Sequence, residues 1–368
     1  MSAPFVYLDH NATTPVRESV VAAIAESLRA CGNPSSVHAA GRLARQRVEQ
    51  ARDRIRDGLG LSRGATLVFT SGGTEANRIV LAATGARRVL VSAVEHDSIL
   101  GAAPDAVRIP VDRAGVVDLD ALRSLLAETE DEALVSVMAA NNETGVLQPV
   151  AEIARLARWA GALFHCDAVQ AIGRMPFDAR EVDLLTVSAH KLGGPQGIGA
   201  LIARSPDLLR PRPGGGQEGG LRPGTENVAG IVGFGIALGA ALAEAHEWSR
   251  VALLRDRAAA ALLEIDPSAE VYGTEVARLP NTLAVRMPGV PAETQIIALD
   301  LAGIGVSAGA ACSSGKVKAS HVLSAMGVSP EDARSTIRVS LGLETTQADI
   351  DRLVTAWRDL RLRTWGRG

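Results

Sequence analysis

Between Thr66 and Ser188 the chain alternates short apolar runs with helical stretches, and this alternation restricts the fold more than any other feature. LVFT, RRVLVS, VRIPV, ALVSVM, ALFHCD and DLLTVS each have the length and composition of a short buried strand. Helical apolar spacing lies between several of them, near Glu75–Thr84, Asp118–Glu128 and Val150–Ala160. Such repetition predicts an α/β fold with a mostly parallel sheet and helices on both faces. In sheets of this kind ligands collect beyond the carboxyl ends of the strands. The residues directly after each run are therefore the candidates for chemistry.

Those residues are polar at one strand end after another. LVFT is followed by SGGTEAN, where a glycine turn opens a helix and Thr74 adds a hydroxyl, a cradle for an anion such as phosphate. The loop matches neither GxxxxGK[ST] nor GxGxxG, which disfavours a nucleotide or a dinucleotide dehydrogenase. VLVS leads to His96, VSVM to the cluster Asn141-Asn142-Glu143-Thr144-Gly145, and ALFHC to Asp167 and Gln170. DLLTVS leads to His190 and Lys191. Lysine is rare in this chain, which has only Lys191, Lys316 and Lys318 against a background rich in arginine. An arginine cannot serve as a neutral amine nucleophile, whereas a lysine with a lowered pKa can. Taken together, Thr74, His96, Asn142, Asp167 and Lys191 ask for a ligand with a phosphate, a heteroaromatic nitrogen, a phenolic oxygen and an aldehyde. Pyridoxal 5′-phosphate has all four.

The flanking regions read more plainly. FVYLDHNATTPV predicts a short extended segment with Pro15 at a helix N1 position, followed by a helix over Arg17–Ala30. Arg42–Gly58 reads as a charged helix with a solvated face, and Val228–Ala245 as a packed internal helix. The Gly-rich stretch Pro211–Thr225 offers Thr225 as a phosphate contact. Strands near Asn281–Met287 and Ser335–Leu341, with helices near Pro291–Ala302 and Thr346–Arg361, predict a smaller α+β domain. A net charge of −3 carries no basic face for nucleic acid or an anionic membrane. No signal peptide and no apolar run long enough to span a membrane are read, and three cysteines make no disulfide framework. A cytoplasmic location is expected.

A second chemical stretch is GVSAGAACSSGKVKASH. Cys312 lies among Gly, Ala and Ser, with Lys316 and Lys318 close enough in sequence to lower a thiol pKa. Cys166 and Cys31 read instead as small hydrophobic residues. Arg338, inside the apolar strand of STIRVSLG, calls for an anion such as a substrate carboxylate.

These motifs resemble, in order and over nearly the whole chain, the cysteine desulfurases of the class-V aminotransferase branch: YLDHNATTPV, NPSSVH, FTSGGTEANR, EHDS, NNETGVLQPV, HCDAVQ, SAHKLGGPQGIGAL, GGGQEGGLRPGT, SAGAACSSG and IRVSLG. The resemblance implies a fold-type-I pyridoxal-phosphate enzyme. Its large domain, residues 15–250, would carry a mostly parallel seven-stranded sheet. Residues 1–14 and 251–368 would form a small domain bearing the cysteine loop. By position, Lys191 is implied as the Schiff-base lysine, His96 as the residue stacked on the cofactor ring that assists proton transfer, and Asp167 as the partner of the ring nitrogen. Gln170 and Asn142 would approach the phenolic oxygen. Gly73, Thr74, Ser188 and His190 would surround the phosphate, with Thr225 reaching it from the neighbouring subunit of a homodimer. Asn142 and Arg338 would bind the substrate carboxylate. Cys312 would accept sulfur from L-cysteine as a persulfide and pass it to an acceptor or iron–sulfur scaffold protein, leaving L-alanine; no metal site is implied. A selenocysteine lyase or a class-V transaminase would share the cofactor site, and a non-catalytic assembly partner would share the fold. The chain departs from the usual family pattern at His10, Gln196 and KVKAS, and ends before the longer tail that housekeeping relatives use for docking a scaffold. The sulfur acceptor is left open.

Overall fold

The computed structural model describes residues 4–129, 132–211, 213–309 and 319–365. Cys312, Lys316 and Lys318 lie outside the described residues.

The chain enters through β1 (Val6–Tyr7), then α1 (Glu18–Arg29) and α2 (Ala39–Gly58). Pro15 lies upstream of α1 rather than at its first position. Arg17 takes the N-cap place, with its backbone N–H and Nε donating to Gly193 O and Leu192 O at 3.0 Å each. The α2 helix starts three residues before Arg42 because His38 Nδ1 accepts from Gly41 N and caps it. Its charges cover one face only: Ala44, Val48, Ala51 and Ile55 are buried against α7 (Val228–Ala243). The backbones approach closely there, since a Cβ on Gly235 would lie 3.3 Å from Ala51 Cα.

Next come β2 (Thr66–Thr70), α3 (Gly73–Ala83), β3 (Arg88–Ser92), α4 (Asp97–Leu100), β4 (Val107–Ile109) and α5 (Leu119–Ala127). The series continues through β5 (Ala133–Ser136), α6 (Val150–Trp159), β6 (Leu163–Asp167), β7 (Leu184–Ser188) and β8 (Gly199–Ala203). They form one seven-stranded sheet in the order β2-β8-β7-β6-β5-β3-β4. Five strands from β7 to β4 run parallel, while β8 is antiparallel to both of its neighbours. The glycine-flanked run GALIA, not anticipated as a strand, is that insertion. Two antiparallel pairings in succession return β2 to the direction of β7, so the end of β2 and the start of α3 share an edge with the ends of β3, β5, β6 and β7. The candidate residues that follow the apolar runs lie along that edge.

After α7 come α8 (Trp248–Ile265), β9 (Glu270–Val271), β10 (Thr282–Arg286), α9 (Ala292–Leu301), β11 (Ile304–Gly305) and β12 (Ser307–Ala308). The described chain closes with α10 (His321–Ala325), α11 (Pro330–Arg334), β13 (Thr336–Ser340) and α12 (Gln347–Trp365). A second, antiparallel sheet has the order β12-β13-β10-β9. It has its own core, including Leu283, Val285, Val339 and the fully buried Trp357, joined by Val6 and Leu8 from the N-terminus. β1 enters this region by pairing in parallel with β11. Among the described residues no single helix is long and apolar enough to cross a membrane, and α7 is largely buried.

Candidate active site

A cleft of about 380 Å³ opens at the carboxyl edge of the large sheet, and residues from both cores line it. Of the residues singled out in the sequence, Gly73, Thr74, His96, Asn142, Asp167, Gln170, Ser188, His190, Lys191 and Arg338 all line it. Thr225 is exposed and does not line it. Cys312 lies outside the described residues, but Gly309, just before its loop, is at the cleft wall.

Lys191 ends a short 3-10 turn that follows β7. Its Nζ donates to Asn11 O at 2.5 Å and Ala12 O at 2.6 Å. Burial lowers its pKa to about 7, and Arg174 and Arg338 push in the same direction. A substantial neutral fraction at neutral pH is what an amine nucleophile requires. Beside it, burial and the neighbouring Lys191 and Arg174 lower His190 to about 4, so its ring is neutral at neutral pH.

Asp167 closes β6. Its Oδ2 accepts from Asn77 Nδ2 at 2.7 Å and its Oδ1 from Val169 N at 3.0 Å. Asn77, on the buried face of α3, also donates to Ser98 Oγ at 2.8 Å. Ser98 N in turn donates to His96 Nδ1 at 3.1 Å. A neutral His96 that accepts at Nδ1 carries its proton on Nε2. Glu95, wholly buried behind His96, is raised to about 8 by burial, with nearby Asp167 contributing. It is therefore largely protonated at neutral pH and places no second full charge under Asp167.

The opposite wall comes from the second core. Arg338 on β13 donates to Asp9 Oδ1 at 2.8 Å and to Asn142 O at 3.1 Å, leaving Nε without a partner. In these bonds Asn142 contributes its carbonyl. The sequence reading placed Arg338 against an anion but missed Asp9, which lies in the same N-terminal motif. Glu143 accepts a hydrogen bond from Ser320 Oγ, and burial raises its pKa. A Cβ on Gly309 would collide with Glu143 Oε2, so a larger residue there would force the Glu143 side chain to move.

The Gly-rich stretch before Thr225 is tethered. Glu218 accepts from Arg52 NH1 and NH2 at 3.1 and 3.0 Å and from Phe69 N at 2.8 Å. It does so in a left-handed conformation, φ 49°, that costs a non-glycine residue about 1 kcal/mol or more.

This geometry meets close relatives. The aminotransferase class-V family model matches residues 6–353. A cysteine desulfurase of Cereibacter sphaeroides is 44% identical over 95% of this chain and 94% of its own length. The chain belongs to the cysteine desulfurase family, within the class-V aminotransferases. The cysteine desulfurase NifS of Azotobacter vinelandii is 40% identical, with 95% of this chain and 90% of that protein covered. The solved NifS-like protein of Rickettsia africae superposes with a TM-score of 0.90 at 38% identity, covering 97% of this chain and 99% of the other.

Class-V aminotransferases and cysteine desulfurases are pyridoxal-phosphate enzymes, and the cleft fits that group. Ser188 Oγ is buried without a partner, and the N-terminus of α3 has no side-chain cap. Its first N–H groups are therefore available to an anion, as at any uncapped helix start. A Cβ on Gly73 would come within 3.0 Å of Val169 Cγ2, so glycine keeps this approach narrow and open. The carboxylate Asp167 and the amine Lys191 complement a protonated ring nitrogen and an aldehyde.

The sequence reading missed Asn77, Asn11 and Arg174. Asn77 lies inside the quoted FTSGGTEANR motif, four residues past Gly73. No local signal marks Arg174 among so many arginines.

Proposed function

We propose that this protein is a pyridoxal-phosphate-dependent cysteine desulfurase that turns L-cysteine into L-alanine and receives the sulfur on Cys312. The observation that carries the reading is the meeting of Lys191, Asp167 and the uncapped start of α3 in one cleft, with Arg338 on its opposite wall. Gly73, Thr74, Ser188 and His190 would hold the phosphate. Asp167 would keep a proton on the ring nitrogen, and Gln170 and Asn142 would face the phenolic oxygen. When bound, the cofactor supplies an electron sink for the substrate Cα and Cβ.

Lys191 Nζ, titrating near neutral pH, is suited both to hold the cofactor covalently and to take up and return the substrate Cα proton. His96 presents Nε2 as its second proton-carrying position. Arg338 binds the substrate carboxylate through its guanidinium, with Asn142 beside it. The Cys312 thiolate attacks the substrate sulfur: an S–S bond forms, the Cβ–S bond breaks, and its electron pair stays with the carbon skeleton. Protonation of that skeleton gives alanine, so L-cysteine and a thiol become L-alanine and a persulfide with atoms and electrons balanced.

The protein acts as a homodimer in the cytoplasm, with Thr225 of one copy reaching the phosphate of the other. It hands sulfur to an acceptor or iron–sulfur scaffold protein. Exposure of Thr225 on a tethered loop away from its own cleft supports the shared site. Separate hydrophobic cores support a division near residue 250, with residues 1–14 joining the second part.

The test is release of alanine from L-cysteine by the purified, cofactor-loaded protein with a thiol reductant. Alanine formed over many turnovers is expected. None, from protein that holds the cofactor and is given no partner, redirects the reading to selenocysteine or to transamination.

A further inference from the structure

Arg174 follows Gln170 by four residues and is only 3% exposed, yet among the described residues it forms no ion pair. Burying a guanidinium without a carboxylate is costly, and such a charge is retained only where hydrogen bonds or an added anion compensate it. Here the hydrogen bonds all go to the floor of the cleft. NH1 donates to Gln170 Oε1 and, at 2.8 Å, to Asn11 Oδ1. NH2 donates to His10 O at 3.1 Å and Lys191 O at 3.5 Å. The guanidinium carbon lies 5.9 Å from the Trp248 ring centre, in cation–π range.

We propose that Arg174 is a positioning residue of this site: it sets the orientation of the Gln170 amide and braces the His10–Ala12 segment on which Lys191 Nζ rests. This goes beyond the functional reading and rests on it for the cofactor. A guanidinium only donates, so the Gln170 atom facing it must be the amide oxygen. Gln170 Nε2 therefore faces the other way and donates to Asn11 O at 3.0 Å. Its second N–H remains available for an acceptor in the cleft, such as a phenolic oxygen. Asn11 is held from further sides by Asn281 Nδ2 at 3.0 Å and by its own Nδ2 bond to Thr282 Oγ1 at 2.9 Å. The floor is thus clamped between the large sheet's edge and the second core, with Arg174 as the cation beneath it. That cation also disfavours a proton on Lys191.

Two variants separate charge from shape. Arg174→Met removes the charge; Arg174→Lys keeps it but cannot reproduce the planar fork. The first readout uses cofactor-free protein: the pH midpoint at which Lys191 reacts with a limiting amine-acylating reagent, read by peptide mass spectrometry. Arg174→Met should raise the midpoint by about one pH unit, and Arg174→Lys should leave it close to wild type. The second readout is the visible absorption of the cofactor-loaded protein, which should shift in both variants because both lose the bond that orients Gln170. An unchanged midpoint in Arg174→Met overturns the proposal. So does an unchanged spectrum in Arg174→Lys, which would reduce Arg174 to a charge. If Arg174→Met does not fold by circular dichroism, the spectrum of Arg174→Lys decides. Wild-type protein that takes up no pyridoxal phosphate would defeat the functional reading instead, while the Lys191 midpoint still decides whether Arg174 acts on it.

Discussion

Asn77 Nδ2 and Asp167 Oδ2 lie 2.7 Å apart, a charge-assisted hydrogen bond that ties the α3 helix to the end of β6. It fixes the carboxylate in the direction the cleft needs, and the same amide reaches Ser98, which holds His96. Asn77→Ala would leave Oδ2 without this donor. A hydrogen bond to a charged group is worth about 1.5–3 kcal/mol, so cofactor affinity should weaken by about tenfold or more. Titration of cofactor-free protein with pyridoxal phosphate checks this; wild-type affinity would remove Asn77 from the site.

Lys191→Ala should abolish the visible absorption of the lysine-bound cofactor and the alanine-forming activity together. A spectrum of unchanged position and intensity would contradict the role of Lys191.

Cys312→Ser should take up the cofactor with a normal spectrum and bind L-cysteine, yet form almost no persulfide. The comparison is alanine released against sulfur bound to protein. Near-normal alanine from the variant would take Cys312 out of the reaction.

Acid should destabilise the protein through buried histidines. Burial lowers His165 to about 3 and His10 to about 4, and His190 falls to about 4 as well. In the unfolded chain these rings take protons near pH 6.5, so between there and about 4 the unfolded state holds more protons. Stability is therefore lost as pH falls through that window. Glu95 has the opposite sign: raised from 4.5 to about 8, it adds stability at low pH that is lost as pH rises from about 4.5 to about 8, where the loss is complete. His165 bridges Ser136 and Thr186 at 2.9 Å each, away from the cleft. His165→Gln should flatten the acid limb of a melting-temperature series, and Glu95→Gln should remove an opposing fall in stability between about pH 4.5 and 8. Unaltered slopes would contradict both assignments.

The Arg52–Glu218 pair lies largely out of solvent, with side chains 14% and 2% exposed. Removing one partner of such a pair costs about 3–5 kcal/mol. Glu218→Ala should lower urea-denaturation stability by about that much and loosen the stretch that carries Thr225, weakening cofactor binding as well. A stability change under about 1 kcal/mol would mean that Glu218 does not tether the loop.

The sequence by itself determined the line of candidate residues along the cleft. Thr74, His96, Asp167 and Lys191 were legible because each directly follows an apolar run, and in a mostly parallel sheet such positions share one edge whatever the details of packing. Apolar periodicity is a local property, so α1, α5, α6 and the strands β2 to β7, β10 and β13 could be read within a few residues of where they lie. The tertiary structure decided what holds those residues in place. β8 enters antiparallel between β2 and β7, a choice of neighbour that a five-residue run cannot encode. The α2 helix is solvated on one face and packed on the other because α7 lies against it. Asn11 meets Asn281 and Thr282, Asp9 meets Arg338, and Arg174 meets Gln170 and Asn11; all of these but Arg174 with Gln170 join distant segments of chain. Burial then sets the charge of each group: it leaves Lys191 titrating near neutral pH, Glu95 largely protonated and Arg174 positive with no carboxylate partner among the described residues. Those states depend on desolvation and on which polar groups become neighbours, and both arise only when the chain is folded.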